Sequence, residues 1–328
     1  MILPNRDILF EVEPEFAGQR LDRYLTRRIG HRSRSWLKGL IQSGLLQIVE
    51  VGPGNSRPLK VKPSTSVQAG MRILIKQSHK PRPHSESLVP RHPLKTLYED
   101  DSLLVVDKPA GMLVHPAGSI YHETLIIQLK ASTGLSDLHL GHRLDRETSG
   151  VLVVAKGHTS NRILKAAFHA REVRKGYLAV VHGQPSWTTE VCNVAIGSGN
   201  TQVRIRQAPR IDGSSAHTSF ELVRHLGSSA SLVACRPYTG RIHQIRVHLE
   251  HVGHPIVGDK IYGSDGSPFL RFRESGLTPE LEAELGHWRQ ALHASWIEFE
   301  HPETGQRTQF NAPLAPDLVE LVAELEAH

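Results

Sequence analysis

The chain has 328 residues and a formal net charge of +6, and 39% of its residues are hydrophobic. This content supports a packed core in about two domains, and no window approaches the roughly 20 apolar residues of a membrane span, so we expect a soluble protein without membrane association. The two cysteines lack CxxC spacing and the first residues lack a signal-peptide pattern. Both features favour a reducing cytoplasm and argue against a disulfide framework or a cysteine zinc site.

The positive charge is concentrated towards the N-terminal end. Residues 1–93 hold 16 of the 39 lysines and arginines but only 7 of the 33 aspartates and glutamates, and the remainder of the chain is slightly acidic. A basic segment of this kind is typical of proteins that bind a polyanion such as nucleic acid. An ordinary solvated surface is the alternative that charge alone leaves open.

Two helices are predicted near the start of the chain. Leu21, Tyr24 and Leu25 show helical spacing, and a second helix passes through residues 36–41 and ends at Gly44. Along them lies a basic set that we expect to contact RNA phosphates: Arg27, Arg28, Arg32, Arg34 and Lys38.

Short strands are predicted next, at residues 45–49 and 71–75, joined by a turn rich in glycine and proline. The sequence therefore predicts a small α+β RNA-binding domain over residues 1–76, whose binding depends strongly on salt. Residues 77–93 contain four prolines and form the predicted linker.

Residues 94–328 show the pattern of a larger mixed α+β domain. Short β-type runs occur at residues 103–106, 151–155, 177–181 and 232–235. Helical patterns occur at residues 161–173 and 315–328.

The most informative segment is 142–150, HRLDRETSG, which precedes a strongly apolar run. A loop braced by a buried strand can hold one carboxylate, here Asp145, in a fixed position. Arg143 and Arg146 flank this residue, and a neighbouring arginine keeps a carboxylate ionised, so that it can act as a nucleophile or a base. A purely structural ion pair is the more common role of such neighbours.

Two further segments carry polar groups suited to chemistry. The Tyr177 ring could stack on a base and its hydroxyl could carry a proton, or the side chain could simply pack in a core. In segment 239–249, Arg241 and His243 share a face if the segment is a strand, whereas His243 and Arg246 cluster if it is a helix. The donors of this segment suit either phosphate binding or the anchoring of a buried carboxylate.

Histidine spacing raises the question of a metal site. His139 and His142 are three residues apart, and His248 is followed by two more histidines at the same interval. Such spacing can hold zinc on a helix, but no HExxH motif occurs and Pro255 ends the second group. The phosphate-loop and serine-hydrolase motifs are absent as well. We therefore expect no metal and no cofactor.

Taken together, these segments resemble the RluA-type pseudouridine synthases of RNA. The matching segments, in chain order, are 99–116, 142–150, 175–177 and 240–263, followed by a closing segment at 292–302. Residues 20–22 and 33–35 resemble the small RNA-binding fold of the fourth small-subunit ribosomal protein. The resemblance covers the chain from about residue 16 to residue 320.

The resemblance implies a catalytic domain over residues 94–328 with a mixed, mainly antiparallel sheet flanked by helices. It implies that Asp145 is the catalytic aspartate and that Arg246 pairs with it. It implies that Tyr177 packs against the target base and can help to remove the final proton. Arg143 would fill the gap that an extruded uridine leaves in the RNA. Arg241 and His243 would support the same pocket. The resemblance implies that the protein is an isomerase that converts specific uridines of structured RNA to pseudouridine with base flipping, and that this reaction needs no metal or redox cofactor.

Alternatives from other classes remain at this stage. A non-catalytic RNA-binding or ribosome-assembly protein could keep the same fold. A carboxylate-based glycosidase would need a second acid, and Glu147 is the only nearby candidate in the sequence. We expect large-subunit ribosomal RNA as the substrate, with transfer RNA as the second choice, and a monomer.

Overall fold

The structure is a computed structural model that describes residues 8–29, 40–41, 44–50, 61–76, 94–116 and 124–327. The chain divides into two compact units, Met1–Arg82 and Pro83–His328. The predicted linker, residues 77–93, lies outside the described residues. Among the described helices, none combines the length and the apolar character that a membrane crossing requires.

The first unit contains a three-stranded antiparallel sheet and a helix. The strands are β1 (Ile8–Glu11), β2 (Leu46–Glu50) and β3 (Arg72–Ile75), in the order β1-β3-β2, and the helix is α1 (Leu21–Ile29). The apolar face that the sequence predicts for α1 is fully buried in this unit's core. Strands β2 and β3 lie where the sequence predicts strands.

The second predicted helix and the basic residues along it are described only in part. Of this helix, Leu40 and Ile41 are described and are helical. Arg32, Arg34 and Lys38 lie outside the described residues, as does the turn between β2 and residue 61.

The second unit is built on a large sheet with helices against it. The strands of this unit are β4 (Lys95–Glu99), β5 (Leu103–Lys108), β6 (Leu138–Leu140), β7 (Ser149–Lys156), β8 (Arg174–His182), β9 (Thr189–Cys192), β10 (Ile196–Ser198), β11 (Gln207–Pro209), β12 (Thr218–Leu226), β13 (Ala230–Pro237), β14 (Leu292–Glu300) and β15 (Arg307–Asn311). The helices are α2 (Leu125–Thr133), α3 (Gly157–Ala170), α4 (Gln244–His251), α5 (Ser267–Ser275), α6 (Pro279–Leu285) and α7 (Pro316–Glu326).

The strand order confirms the predicted α+β fold. The main path of the large sheet is β4-β5-β7-β14-β8-β13-β12-β9, with β15 beside β14 and β6 beside β7, while β10 and β11 form a separate pair. Among the described strands, β7 and β14 alone run in parallel, so the sheet is mixed but mainly antiparallel.

The centre of the sheet is apolar on both faces. Strand β7 is buried along its length except at its last residue, and β5 is nearly as well covered. Because both faces of these strands are covered, their sequences read as continuous apolar runs rather than as an alternation. Two core clusters result, and Tyr177 on β8 packs against both of them.

The start of β7 requires a glycine. Gly150 has a φ of +109°, and a Cβ atom at this position would collide with the carbonyl group of Ala294 on β14. These two residues are register partners in the parallel pair. The close approach fixes the point at which the loop before β7 leaves the sheet.

We predict that Gly150→Ala destabilises the protein by about 3 kcal/mol or more, because the new methyl group combines a steric clash with a disfavoured backbone conformation. Urea unfolding at pH 7 measures the change. Gly134→Ala is the matched control, since Gly134 also has a positive φ but nothing lies within 4 Å of the position that its Cβ atom would take. We expect a loss of about 1 kcal/mol there, and equal losses in the two variants would contradict the role of Gly150.

Candidate active site

Asp145 lies in the loop that joins β6 to β7, at the end of the sheet where β7 meets β14. A hydrogen bond of 3.2 Å from the Thr148 N–H to the Asp145 carbonyl closes a turn in this loop. The buried side chain of Leu144 anchors the loop in the core. The Asp145 side chain remains 27% exposed. It faces a cavity of about 630 Å³.

The cavity combines apolar walls with an excess of basic groups. Its basic lining residues include Arg143, Arg146, Arg204, Arg246 and Lys260. Its apolar lining residues include Leu113, Val114, Ile205, Ile242, Ile261, Phe269 and Phe272. A concave site with apolar walls and a few convergent polar groups is typical of ligand pockets, and the basic excess favours an anionic ligand.

A buried arginine joins two carboxylates beneath this cavity. Arg246 Nη1 donates a hydrogen bond of 3.0 Å to Asp145 Oδ2, while its Nε and Nη2 atoms bind the two Asp259 oxygens at 2.6 and 2.8 Å. Asp259 is completely buried, and its Oδ1 also accepts hydrogen bonds from the N–H groups of Ile261 and Tyr262. The bidentate contact with Asp259 therefore fixes the orientation of the Arg246 guanidinium group, and the hydrogen bond from that group orients the Asp145 carboxylate.

The charges keep Asp145 ionised although it is partly buried. Burial alone would raise the pKa of Asp145, but the charges of His243 and Arg246 and the hydrogen bond from Arg246 hold it below its ordinary value. Burial lowers the pKa of His243 to about 4, so this imidazole is uncharged at pH 7. At neutral pH the cation that keeps Asp145 ionised is therefore Arg246.

The structure decides the open question about segment 239–249. Helix α4 begins at Gln244, so His243 and Arg246 lie on the same side, next to Asp145. The arginines that flank Asp145 in sequence do not bind it: Arg146 Nε donates instead to the Gly111 carbonyl at 2.9 Å, and Arg143 is exposed at the cavity.

Tyr177 lies within the large sheet and feels the charge of Asp145. It lies on β8 between Cys235 of β13 and Ala294 of β14. Burial raises the pKa of Tyr177 above its usual range, and the charge of Asp145 raises it further, so the phenol is protonated at neutral pH. Tyr177 is not among the described residues that line the cavity.

Of the two other residues predicted to support the pocket, one lines the cavity and one does not. His243 lines it, with Nε2 at 3.9 Å from Asp145 Oδ2. Arg241 is exposed, and its Nε donates to the Ser215 carbonyl at 3.0 Å, outside the described lining.

In the first unit, Arg27 and Arg28 are exposed in the last turn of α1. Their guanidinium carbons lie 5.6 and 5.8 Å from the centre of the Phe16 ring, and Arg28 also pairs with Glu13. Of the predicted phosphate-binding residues, these two are the ones within the described part of the chain.

Several residues that support the site were missed from the sequence. The fully buried Lys108 donates hydrogen bonds to the carbonyl groups of Pro109, Met112 and Arg146 at 2.9 to 3.0 Å. The bond to Arg146 ties the loop that carries Asp145 to the end of β5. Burial lowers the pKa of Lys108 to about 7. A lysine as the last residue of β5 was the available signal, because a charged group at the end of a buried strand needs partners.

A second support comes from the segment before β14. The fully buried Arg289 donates to the Glu147 carbonyl at 2.9 Å and binds both oxygens of Asp317 on α7. Lys260 pairs with the Glu147 carboxylate at 2.9 Å. Glu147 is therefore held by structural contacts, which leaves Asp145 without a second reactive acid in this loop.

Three of the histidines with metal-like spacing bind protein groups. His142 Nε2 accepts a hydrogen bond from the Val153 N–H, and His139 pairs with Asp137 rather than with His142. His248 contacts the Thr218 hydroxyl and the Val194 carbonyl.

Comparison with known proteins identifies the family. Residues 102–251 match the family described as RNA pseudouridylate synthase. The chain is 34% identical over 314 residues to ribosomal large subunit pseudouridine synthase D of Zymomonas mobilis, covering 93% of both chains. It is 35% identical over 324 residues to ribosomal large subunit pseudouridine synthase C of Escherichia coli, covering 94% of this chain and 93% of that protein.

The chain belongs to the RNA pseudouridylate synthase family. It is therefore an RNA pseudouridine synthase rather than a glycosidase or a non-catalytic RNA-binding protein. A solved structure, human RNA pseudouridylate synthase domain containing 4, is 27% identical, with a TM-score of 0.54 over 70% of this chain and 92% of that one.

We predict that Arg246→Gln destabilises this pseudouridine synthase by about 3–5 kcal/mol at pH 7, because it leaves the fully buried Asp259 and the partly buried Asp145 without their cation. Urea unfolding measures the loss. The unpaired carboxylates acquire raised pKa values, so the folded variant takes up protons and its deficit shrinks as the pH falls from 8 to 5.

The matched control is Arg236→Gln. Arg236 pairs with Glu221 at 3.0 Å, and both side chains are more than half exposed. Such pairs contribute at most about 1 kcal/mol. Similar losses in the two variants, or a deficit in Arg246→Gln that is independent of pH, would contradict the buried pairing.

Proposed function

We propose that this protein converts specific uridines of large-subunit ribosomal RNA to pseudouridine. The observation that carries the proposal is the ionised Asp145, clamped by Arg246 at the wall of a basic cavity. The choice of RNA is supported by the names of relatives that align with this chain along more than nine-tenths of their length. We propose the cytoplasm as the place of action, which the two cysteines without CxxC spacing favour.

The reaction exchanges one bond to the ribose for another. The bond from the ribose to the base nitrogen breaks, the base turns, carbon 5 joins the ribose, and the proton on carbon 5 leaves while the freed nitrogen gains one. We propose that the Asp145 carboxylate acts on the ribose or the base, since its lowered pKa keeps it an anion that can attack or accept a proton. Arg246 maintains that charge and orients the carboxylate.

Tyr177 lies outside the described cavity lining, but the charge of Asp145 reaches it and raises its pKa. We propose that it packs against the target base from the side of the sheet. Its position between two core clusters makes it a rigid surface. Its raised pKa makes it a hydrogen-bond donor at neutral pH, which favours packing and donation over removal of the final proton.

The target uridine must leave the RNA stack, because its reacting atoms are inaccessible within a helix. The cavity of about 630 Å³ is of the size of ordinary ligand pockets, which are roughly 300–1,000 Å³. We propose that the exposed Arg143 takes the vacated place in the RNA. His243, which lines the cavity, supports the same pocket. For Arg241, which binds the Ser215 carbonyl outside that lining, the supporting role stays a prediction. We propose that the protein works as a monomer.

Extrusion of a nucleotide costs a few kcal/mol, which phosphate contacts elsewhere can offset. We propose that residues 1–76 supply such contacts as an RNA-binding domain. The support is the basic excess of the N-terminal part and the exposure of Arg27 and Arg28 on one turn of α1. Residues 77–93 join this domain to the catalytic domain, residues 94–328.

We predict that Asp145→Asn abolishes the activity, with a fall on the order of 10³-fold or more in tritium release from ribosomal RNA that carries carbon-5-labelled uridine. Chemical mapping of pseudouridine in cells that lack the gene gives the matching test. The wild-type gene should restore the missing sites, and the Asp145→Asn gene should not.

Asp212→Asn is the control, because Asp212 is an exposed acid paired with Arg210 on the surface. It should restore every site. The proposal fails if no ribosomal site depends on the gene, or if the Asp145→Asn protein modifies RNA at the wild-type rate.

A further inference from the structure

His243 is held in an unusual backbone conformation beside Asp145. Its φ of +57° is in the left-handed region, which among the described non-glycine residues is shared only by Arg171. This conformation costs roughly 1–2 kcal/mol and persists where surrounding contacts impose it. Such strain is often found at functional sites, so the position of the His243 ring requires an explanation.

The neighbouring Gln244 imposes this conformation. Its buried Oε1 accepts hydrogen bonds from the Thr239 hydroxyl at 2.7 Å and the Arg241 N–H at 3.0 Å. Its Nε2 donates to the His217 carbonyl and to the Thr218 hydroxyl at 3.0 and 2.9 Å. With all of its hydrogen-bonding groups engaged, Gln244 locks the turn that presents His243 to the cavity.

Tyr262 contacts the other side of the imidazole. Its hydroxyl oxygen lies 2.8 Å from His243 Nδ1 and accepts a hydrogen bond of 2.9 Å from the Gln207 N–H. The guanidinium groups of Arg206 and Arg246 lie 5.2 and 4.9 Å from the centre of the tyrosine ring, which fixes the ring in place. The Tyr262 hydroxyl is therefore held in a fixed position relative to the His243 ring.

These contacts determine where the protons lie. A phenol has one proton, and the only acceptor that the described residues offer it is His243 Nδ1. If Nδ1 carried a proton instead, the hydroxyl proton of Tyr262 would have no acceptor there. The uncharged imidazole then carries its proton on Nε2, the nitrogen nearer to Asp145.

We propose that Tyr262 fixes His243 as the neutral Nε2–H tautomer, whose N–H faces Oδ2 of Asp145 and makes His243 a positioning residue for that carboxylate. The inference rests on the proposed role of Asp145. Arg246 Nη1 binds the same oxygen, Oδ2, whereas Oδ1 accepts no hydrogen bond from the described residues. The two oxygens thus have different tasks: Oδ2 is held, and Oδ1 is the atom that reacts with the nucleotide.

A neutral donor suits this task better than a cation. An imidazolium would add a second positive charge beside Arg246 and weaken the carboxylate as a nucleophile or base, whereas an N–H dipole orients it without that charge. The separation of 3.9 Å between Nε2 and Oδ2 is longer than a hydrogen bond. Contacts of this kind often shorten when substrate binds.

The charged and titratable groups that act on the His243 ring are Arg246, Asp145, Asp259 and Arg143, together with the Tyr262 hydroxyl. The guanidinium groups oppose protonation of the ring and the carboxylates favour it, but burial exceeds both. The neutral tautomer should therefore persist well below pH 7.

Nitrogen NMR of the full-length protein with ¹⁵N-labelled histidine tests the tautomer directly. The His243 signals are assigned by their loss in His243→Gln. We expect the pattern of a neutral ring with its proton on Nε2 at pH 7, unchanged at pH 5.5, and a shift towards the other tautomer in Tyr262→Phe. A ring protonated on Nδ1, or an imidazolium at pH 7, would overturn the proposal.

Two amide substitutions separate positioning from packing. Gln places its amide nitrogen near the Nε2 position, whereas Asn tolerates the left-handed backbone but reaches only as far as Nδ1. We expect His243→Asn to lower kcat about 10- to 100-fold with little change in KM, the effect of losing one hydrogen bond to a charged group. His243→Gln should recover most of the rate, and equal activity in the two variants would contradict the proposal.

The outcomes distinguish this inference from the proposed function. If Asp145→Asn remains active, the assignment of Asp145 fails whatever the tautomer. If Asp145→Asn is inactive but the wild-type ring carries its proton on Nδ1, only the role of His243 fails. If both His243 variants unfold, the wild-type spectrum and the kcat of Tyr262→Phe still test the role of His243. We expect the kcat of Tyr262→Phe to fall as in His243→Asn.

Discussion

The site depends on one buried cation shared by two carboxylates. Arg246 is only 5% exposed, Asp259 is completely buried and Asp145 is the partner that reaches the cavity. Burying three charges is expensive, and attraction offsets that cost only where the geometry is good and the remaining lone pairs are satisfied. Asp259 meets this condition with two bonds to Arg246 and two from backbone N–H groups. Asp145 is left partly unsatisfied, which is what a reactive group requires.

The surrounding fold keeps this arrangement rigid. Lys108 and Arg289 donate hydrogen bonds to the backbone carbonyl groups of the two residues that directly follow Asp145, Arg146 and Glu147. Gly150 allows the end of that loop to lie directly against β14. Because these three contacts come from distant parts of the chain, the loop has little freedom to move Asp145 relative to Arg246. Preorganised charges of this kind need no rearrangement during the reaction.

Much of the fold and part of the site followed from the sequence. Long apolar runs predicted the central strands because burial on both faces leaves a clear signal, and the apolar face of α1 predicted its helix. Strand β1 was missed because it has no fully buried residue. The longer strands β12 and β14 were missed because polar and charged residues interrupt their apolar residues. Segment 239–249 remained ambiguous between helix and strand because its apolar residues fit both periods, and the buried Gln244 that decides its turn gives no periodic signal.

The partners of Asp145 could not be derived from local sequence. The neighbouring Arg143 and Arg146 were natural candidates, but adjacent residues in a loop point in different directions, and Arg146 binds the Gly111 carbonyl. The true partner, Arg246, is 101 residues away and was reached only through the family resemblance. Tyr262 was part of a matching segment, yet its contact with His243 depends on tertiary packing alone.

The central claim is that Asp145 is the group that meets an extruded uridine. A crystal structure of the Asp145→Asn protein with a fragment of its RNA substrate tests it most directly. We expect one uridine turned out of the stack into the cavity, with its ribose or base in contact with the side-chain atom at the Oδ1 position of residue 145 and Arg246 still on the opposite atom. A uridine that remains stacked in the RNA, or one that is bound out of reach of residue 145, would contradict the account.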